Sequence, residues 1–256
     1  MRLLWRDWPA IKKRLLSNKK KLLMLDFDGT LVSIAPTPDE VSFCDSTKRL
    51  LRQLVKKPGF RVSIISGRSL KNLRTYFDLK NVVYVGNHGL EMEGLALPLE
   101  AKKARRLRFT MWLLVEKLNA DFYYLPGILI EDKGLTISLH FRNLPKEHTP
   151  AFGQMVEFFK KHYAKHPLAW RKGKKVWEVF PKIRWHKGFA AVHLLKKYPG
   201  SLPIVIGDDR TDEDMFKAMG RFGLTIRVGR SRKSHAQYYL DSQKEVDKFL
   251  EELSQC

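Results

Sequence analysis

The chain has 256 residues, of which 44% are hydrophobic, enough to bury a full core in one large domain or in a core with a smaller insert; a disordered polymer is excluded. Lys and Arg number 48 against 27 Asp and Glu, and the formal charge of +21 suits a polyanion or an anionic small substrate alike. Cys44 and Cys256 are too few and too far apart for a disulfide framework or a cysteine-held metal, which points to a reducing, cytoplasmic compartment.

Residues 1–21 form the first expected element, a basic amphipathic helix carrying Leu3, Leu4, Trp8, Ile11, Leu15 and Leu16 at roughly helical spacing. Arg2, Arg6, Asp7, Lys12, Lys13 and Arg14 interrupt it, so no export signal and no transmembrane segment is expected. Packing on the domain's own core is its expected role, with an anionic membrane surface as the alternative. The basic residues elsewhere are spread over predicted helix faces, with neither a zinc-finger spacing nor an aromatic RNA-binding signature, so no specific nucleic acid is expected.

Leu22-Leu23-Met24-Leu25 reads as a strand buried on both faces, and it runs into Asp26-Phe27-Asp28-Gly29-Thr30. In open parallel sheets the ligand crevice lies at the carboxyl ends of strands, where Asp26 would stand. Two carboxylates so close repel each other unless a proton or a cation intervenes, and a hard ion such as Mg2+ fits oxygen ligands. Asp26 is then a candidate nucleophile toward phosphorus and Asp28 a candidate acid and base, the alternative being a solvated Asp-x-Asp-Gly turn.

A loop over residues 32–40, punctuated by Pro36 and Pro38, leads to a helix capped by Asp45 or Ser46 and stopped by Pro58-Gly59. Residues 60–65 form the next strand, ending in Ser66-Gly67-Arg68, a hydroxyl, a flexible backbone and a guanidinium suited to cradling phosphate. A short helix over 70–77 and a strand over 82–85 follow, then Gly86-Asn87-His88-Gly89, where His88 either reaches a cleft or satisfies a loop hydrogen bond.

Over 93–180 the pattern becomes helix (102–119), two strands around a turn at Glu131-Asp132-Lys133-Gly134, helix (149–166) and two strands. This is an α+β cap with an antiparallel sheet, inserted into an α/β core made of 1–92 and 181–256. Glu131, Lys133, His140, Arg142 and Glu178 are candidates to line a sugar-binding face, although spacing alone favours a solvated sheet face. After Pro181, Lys187-Gly188 opens a helix, and residues 202–206 form a buried strand ending in Gly207-Asp208-Asp209. Asp208 is the expected further metal ligand, and Asp212 or Thr211 the cap of the following helix. A strand (224–228), a short one (238–240) and a helix (242–253) close the chain.

In order, Asp26-x-Asp28-Gly-Thr, Ser66-Gly-Arg68, Lys187 at a helix start and Gly207-Asp208-Asp209 resemble the haloacid dehalogenase (HAD) superfamily of phosphotransferases. Gly86-Asn87-His88-Gly89-x-Glu91, Glu131-Asp132-Lys133 with Ser138-Leu139-His140-Phe141-Arg142, and Gly207-Asp208-Asp209-x-Thr211-Asp212-Glu213-Asp214 narrow the resemblance to the trehalose-6-phosphate phosphatases, over roughly 22–250. The resemblance implies a Rossmann-like parallel-sheet core with an inserted antiparallel cap, and a Mg2+-dependent phosphatase acting on trehalose 6-phosphate through an aspartyl-phosphate.

Carried over, Asp26 is the nucleophile and Asp28 the general acid and base. Asp26, Asp208 and the backbone carbonyl of Asp28 hold the metal, which Asp209 supports from behind. Ser66 and Lys187 bind the phosphoryl group, with Arg68 and His88 beside the substrate, and Glu131, Lys133, Arg142 and Glu178 meet the sugar. His186 stands where the family has a small or acidic residue, and Phe141 where it has Tyr. The alternatives are another glycosyl phosphate of sucrose, glucosylglycerol or mannosylglycerate, Mn2+ or Co2+ as the ion, or a non-catalytic polyanion-binding module. A synthase partner is left open.

Overall fold

The computed structural model describes residues 1–35, 40–97, 99–173 and 175–256, without the side chains of residues 99 and 100; Pro36 and Pro38 lie outside the described residues. The chain divides into two compact units, one of residues 1–97 and 185–256 and one of residues 98–184.

The first unit is built on an eight-stranded sheet in the order β1 (Arg2–Leu3), β12 (Tyr238–Leu240), β11 (Leu224–Val228), β10 (Leu202–Gly207), β2 (Lys21–Leu25), β3 (Phe60–Ile65), β4 (Val82–Gly86) and β5 (Glu91–Glu93). Every pairing is parallel except β4 with β5. Helices α1 (Trp8–Ser17), α2 (Asp45–Lys56), α3 (Leu70–Tyr76), α7 (Lys187–Lys197), α8 (Glu213–Met219) and α9 (Lys244–Gln255) belong to the same unit. Strand β2 is buried along its whole length because β10 and β3 flank it. Leu23 and Leu25 join one core with Val62, Ile64, Ile204 and Ile206, while the equally buried Leu22 and Met24 point to the opposite face. The strand order reverses direction at β2, so the crevice beyond its carboxyl end is where the topology opens for a ligand.

The N-terminal stretch is helical only over α1; Arg2–Leu3 instead adds an edge strand on β12, and Leu4–Asp7 is a 3-10 turn. It packs on the unit's own core through Leu4, Ile11 and Leu15, with Trp5 donating to Glu245 and Trp8 edge-on to Phe249. Leu16, counted in the apolar face, is exposed. Neither Asp45 nor Ser46 caps α2. The helix begins at Asp45, so its cap position falls on Cys44, and Ser46 Oγ is engaged by Cys44 and Asp247. Buried Thr47 donates to the same Asp247 carboxylate, tying α2 to α9.

The second unit is a four-stranded antiparallel sheet in the order β6 (Leu129–Asp132), β7 (Ile137–His140), β9 (Val176–Pro181), β8 (Leu168–Lys172), with α4 (Leu99–Lys103), α5 (Arg108–Phe122) and α6 (Thr149–His162). Met111, Leu114, Leu118 and Phe122 of α5 and Phe152, Val156 and Phe159 of α6 pack on Ile137, Leu139 and Val179. Glu131 and Asp132, read as turn residues, end β6; the turn falls at 133–136, where Asp132 accepts from the Gly134 amide and Gly134 adopts φ +76. No helix among the described residues is long and apolar enough to cross a membrane.

Phe249 anchors the face of α9 that closes the first core. Phe249→Ala is expected to cost about 3–5 kcal/mol and to lower the midpoint of urea denaturation of the full chain; an unchanged midpoint would show that α9 is not part of the cooperative core.

Candidate active site

Four strand ends and one helix start converge on the crevice beyond β2. The Asp26 amide still donates to Ile206 O, so the backbone leaves the sheet only after this residue and holds its side chain at the edge. Gly29, three residues after Asp26, has φ +81, and a Cβ there would collide with the Asp208 carboxylate. The glycine therefore lets the turn after β2 close onto the end of β10.

Lys187, at the first position of α7, sits 2% exposed and donates to Asp26 Oδ1 at 2.7 Å and to Asp212 Oδ1 at 2.8 Å. Burial alone would lower its pKa, but the charges of Asp212 and Asp26 prevail and hold the ammonium well above its usual range. Asp212, fully buried, accepts from the amides of Asp208 and Asp209 through its other oxygen. A single side chain thus orients the lysine and shapes the loop that carries Asp208. Asp209 Oδ1 accepts from Thr211 N, Thr211 Oγ1 and the Asp212 amide. Against the effect of burial, Lys187 and the Thr211 donors hold Asp209 below the usual carboxylate range.

Asp212 was expected only as a helix cap. It does stand at the cap of α8 but makes no side-chain cap bond, because both oxygens serve the site. Its separation by four residues from Asp208, across a turn-forming Asp-Arg-Thr, was the available signal.

Asp26, Asp208 and Asp212 each offer a carboxylate oxygen within 4.8 Å of the others, an acidic triad that could bind a metal ion. Their environment favours a cation. Burial first, then Asp212, against Lys187, raises Asp26 well above the usual carboxylate range. Burial and the neighbouring Asp212 and Asp209 push Asp208 to about 7, and burial, opposed by Lys187, leaves Asp212 at about 6. Oδ1 of Asp208 is buried with no hydrogen-bond donor in reach. With both Asp212 oxygens already engaged, Asp26 and Asp208 are the better-placed donors.

Asp28 is elsewhere engaged. Arg68 grips its carboxylate with Nε and Nη2, each at 2.7 Å, and the same guanidinium lies over the adjoining rings of Phe27 and Tyr76 and donates to Asn72. Buried Ser66 accepts the Arg68 amide on its hydroxyl. The His88 amide donates to Ser66 O, and the Asn87 amide to Arg68 O, so the loops after β3 and β4 are latched together. The His88 ring fills the space that a side chain at Gly67 would take. Asn87 and the Leu70 amide both donate to Glu91, which fixes the loop from its far side. His186 accepts the Gly188 amide on Nδ1 and caps α7, which explains an imidazole at this position.

In the second unit the register aligns Glu131, Ser138, Glu178 and Arg171 across all four strands, on the sheet face opposite the helices. Glu131 accepts from His140 at 2.9 Å and pairs with Lys133 at 3.5 Å. Burial notwithstanding, these two partners hold Glu131 below its usual range. Arg171 grips Glu178 at 2.6 Å. Arg142 is exposed in the turn after β7 and outside this row.

Asp208 and Asp212 take up protons far more readily than free aspartates, so between about pH 4 and 7 the folded chain binds more protons than the unfolded one. Their contribution to stability therefore falls as pH rises through that window. A divalent cation competes with those protons, and Mg2+ added to chelator-treated protein should raise Tm more at about pH 7.5 than at about pH 5. Asp208→Asn should remove the difference; an equal rise at both pH values would refute the assignment.

The family model described as Trehalose-phosphatase matches residues 24–244. Trehalose-phosphate phosphatase B of Arabidopsis thaliana is 31% identical over 253 residues, covering 92% of this chain and 67% of that protein. Trehalose 6-phosphate phosphatase RA3 of Zea mays is 31% identical over 258 residues, covering 93% of this chain and 70% of that protein. This chain thus spans about two thirds of the length of these plant relatives. In fold it is similar to the C. albicans trehalose-6-phosphate phosphatase C-terminal domain, with TM-score 0.78, 24% identity and 96% of each chain covered. A trehalose-6-phosphate phosphatase related protein aligns with TM-score 0.79 at 24% identity, over 92% of this chain and 97% of that one. The α/β architecture, with its largely parallel sheet and separate antiparallel sheet, is the HAD-type architecture that the motifs implied. The chain belongs to the trehalose-phosphatase family of phosphatase enzymes.

Proposed function

We propose that the chain hydrolyses trehalose 6-phosphate to trehalose and phosphate through an aspartyl-phosphate on Asp26. The observation that carries this reading is the buried ammonium of Lys187 held between Asp26 and Asp212 beside Asp208, with Ser66 buried at the next strand end. Asp26, Asp208 and the backbone carbonyl of Asp28 would hold Mg2+, which supplies neutralising charge to the phosphoryl group.

Asp26 attacks phosphorus, the bond from phosphorus to the sugar oxygen breaks, and Asp28 gives that oxygen its proton. Asp28 then takes a proton from the water that attacks the aspartyl-phosphate, and phosphate leaves. Lys187 and Ser66 position the transferring group and stabilise its oxygens, which is most of what phosphoryl transfer needs. The row Glu131, Glu178 with Lys133 in the second unit offers acceptors and a donor suited to sugar hydroxyls. Arg68, already committed to Asp28, acts on that carboxylate rather than as a separate sugar contact. The two cysteines, neither in a disulfide, support a reducing, cytoplasmic setting.

Phosphate release from trehalose 6-phosphate with Mg2+ tests the reading. Asp26→Asn should lower kcat by at least about a thousandfold without loss of fold. Sucrose, glucosylglycerol and mannosylglycerate phosphates form the comparison panel; preference for one of these would replace the substrate, and release from none of the panel would end the enzymatic reading. Glu131→Gln should raise KM about tenfold with kcat nearly unchanged. A fall in kcat alone would place Glu131 in the chemistry instead.

A further inference from the structure

Helix α5 buries one apolar face along its length, and the outward side of its first turns is apolar as well. Met111, Leu114, Val115, Leu118 and Phe122 are buried against the second unit's own sheet. At 100° per residue, Phe109, Trp112 and Leu113 point the opposite way, and they are 67%, 49% and 43% exposed. The rings of Phe109 and Trp112 stack on one another at 5.8 Å. Exposed Glu116 and Lys117 end this outward patch after Leu113, and Tyr123 and Tyr124 form a separate exposed pair past the end of the helix, bordered by exposed Phe158 of α6.

Nothing in the proposed catalysis uses this face. It lies on the helix side of a sheet whose other side carries Glu131 and Glu178. Three large apolar side chains left outward together, on a helix whose other side already has the core, mark an interaction surface.

The charge beside the patch identifies what meets it. Lys102, Lys103, Arg105, Arg106 and Arg108 are exposed, with no acidic residue among residues 101–108. Single-stranded nucleic acid needs free ring faces with cations tracking along them, whereas these rings stack on each other and the cations gather at one end.

We propose that this face docks on an anionic phospholipid surface. Phe109, Trp112 and Leu113 enter the headgroup region while Lys102, Lys103, Arg105, Arg106 and Arg108 meet lipid phosphates and carboxylates. Attachment is peripheral and reversible, and it falls with salt.

The test is co-sedimentation of the full chain with vesicles of phosphatidylcholine alone and of phosphatidylcholine containing phosphatidylserine. Binding is expected only to the second. Phe109→Ser with Trp112→Ser, and separately Arg105→Glu with Arg106→Glu, should each weaken binding at least about tenfold. Phe109→Leu with Trp112→Leu should retain binding to within about threefold, and circular dichroism should show all variants folded. Lys196→Glu with Lys197→Glu, exposed on α7 of the other unit, is the equal-charge control; an equal loss there would reduce the effect to bulk charge and overturn the proposal. No binding to the anionic vesicles would also overturn it. So would retention of a single-stranded oligonucleotide, or a dimer in analytical ultracentrifugation, that the serine variants abolish while vesicle binding stays unchanged.

Discussion

A buried ammonium is the constraint on which the rest of the first unit depends. Lys187 stands out of water with carboxylates on two sides, and removal of either partner would leave a charge in a dry site, at a cost of about 3–5 kcal/mol for buried pairs in general. That penalty fixes the relative position of three segments far apart in sequence, the end of β2, the start of α7 and the loop after β10. Four aspartates, Asp26, Asp208, Asp209 and Asp212, surround this one cation, so the crevice keeps an excess of negative charge. Burial, with the neighbouring Asp212 and Asp209, lifts Asp208 to about 7, and this gathering of carboxylates could bind a metal ion.

The parallel sheet delivers these groups because all its central strands end on one edge. Asp26, Ser66, Asn87 and Asp208 each follow the last residue or two of a buried strand, and buried strands vary little in path. The loops between them could still wander, and specific bonds prevent it: Glu91 holds Asn87 and the start of α3, Asp212 holds the amides of Asp208 and Asp209, and His186 caps α7. Positioning of the reactive groups rests on backbone amides accepted by side chains more than on ion pairs at the surface.

Much of this was legible in the residues. Runs such as Leu22 to Leu25 and Leu202 to Ile206 are read as buried strands with little ambiguity, and the acids that follow them mark the crevice. The α+β pattern of the insert was equally plain, since hydrophobic spacing changes there from short alternating units to long helices and a hairpin. What stayed hidden depends on tertiary contact. Ser46 is a good capping residue in isolation, but Asp247, some two hundred positions later, engages its hydroxyl. Asp212 looks like an ordinary cap, and only the arrival of Lys187 between it and Asp26 reveals its place. The outward face of α5 is hidden for another reason: apolar residues on both sides of its first turns leave no periodic signal there to say which side is covered.

Asp28 shows how the same geometry bears on mechanism. Its carboxylate is 37% exposed, whereas the Arg68 side chain that grips it is 6% exposed and lies over the rings of Phe27 and Tyr76. The fork occupies both oxygens of the carboxylate. A general acid must instead carry a proton and reach the leaving oxygen. If the proposed chemistry holds, the fork has to open, and the partner that moves is Asp28, because displacing Arg68 would break two ring contacts and its bond to Asn72.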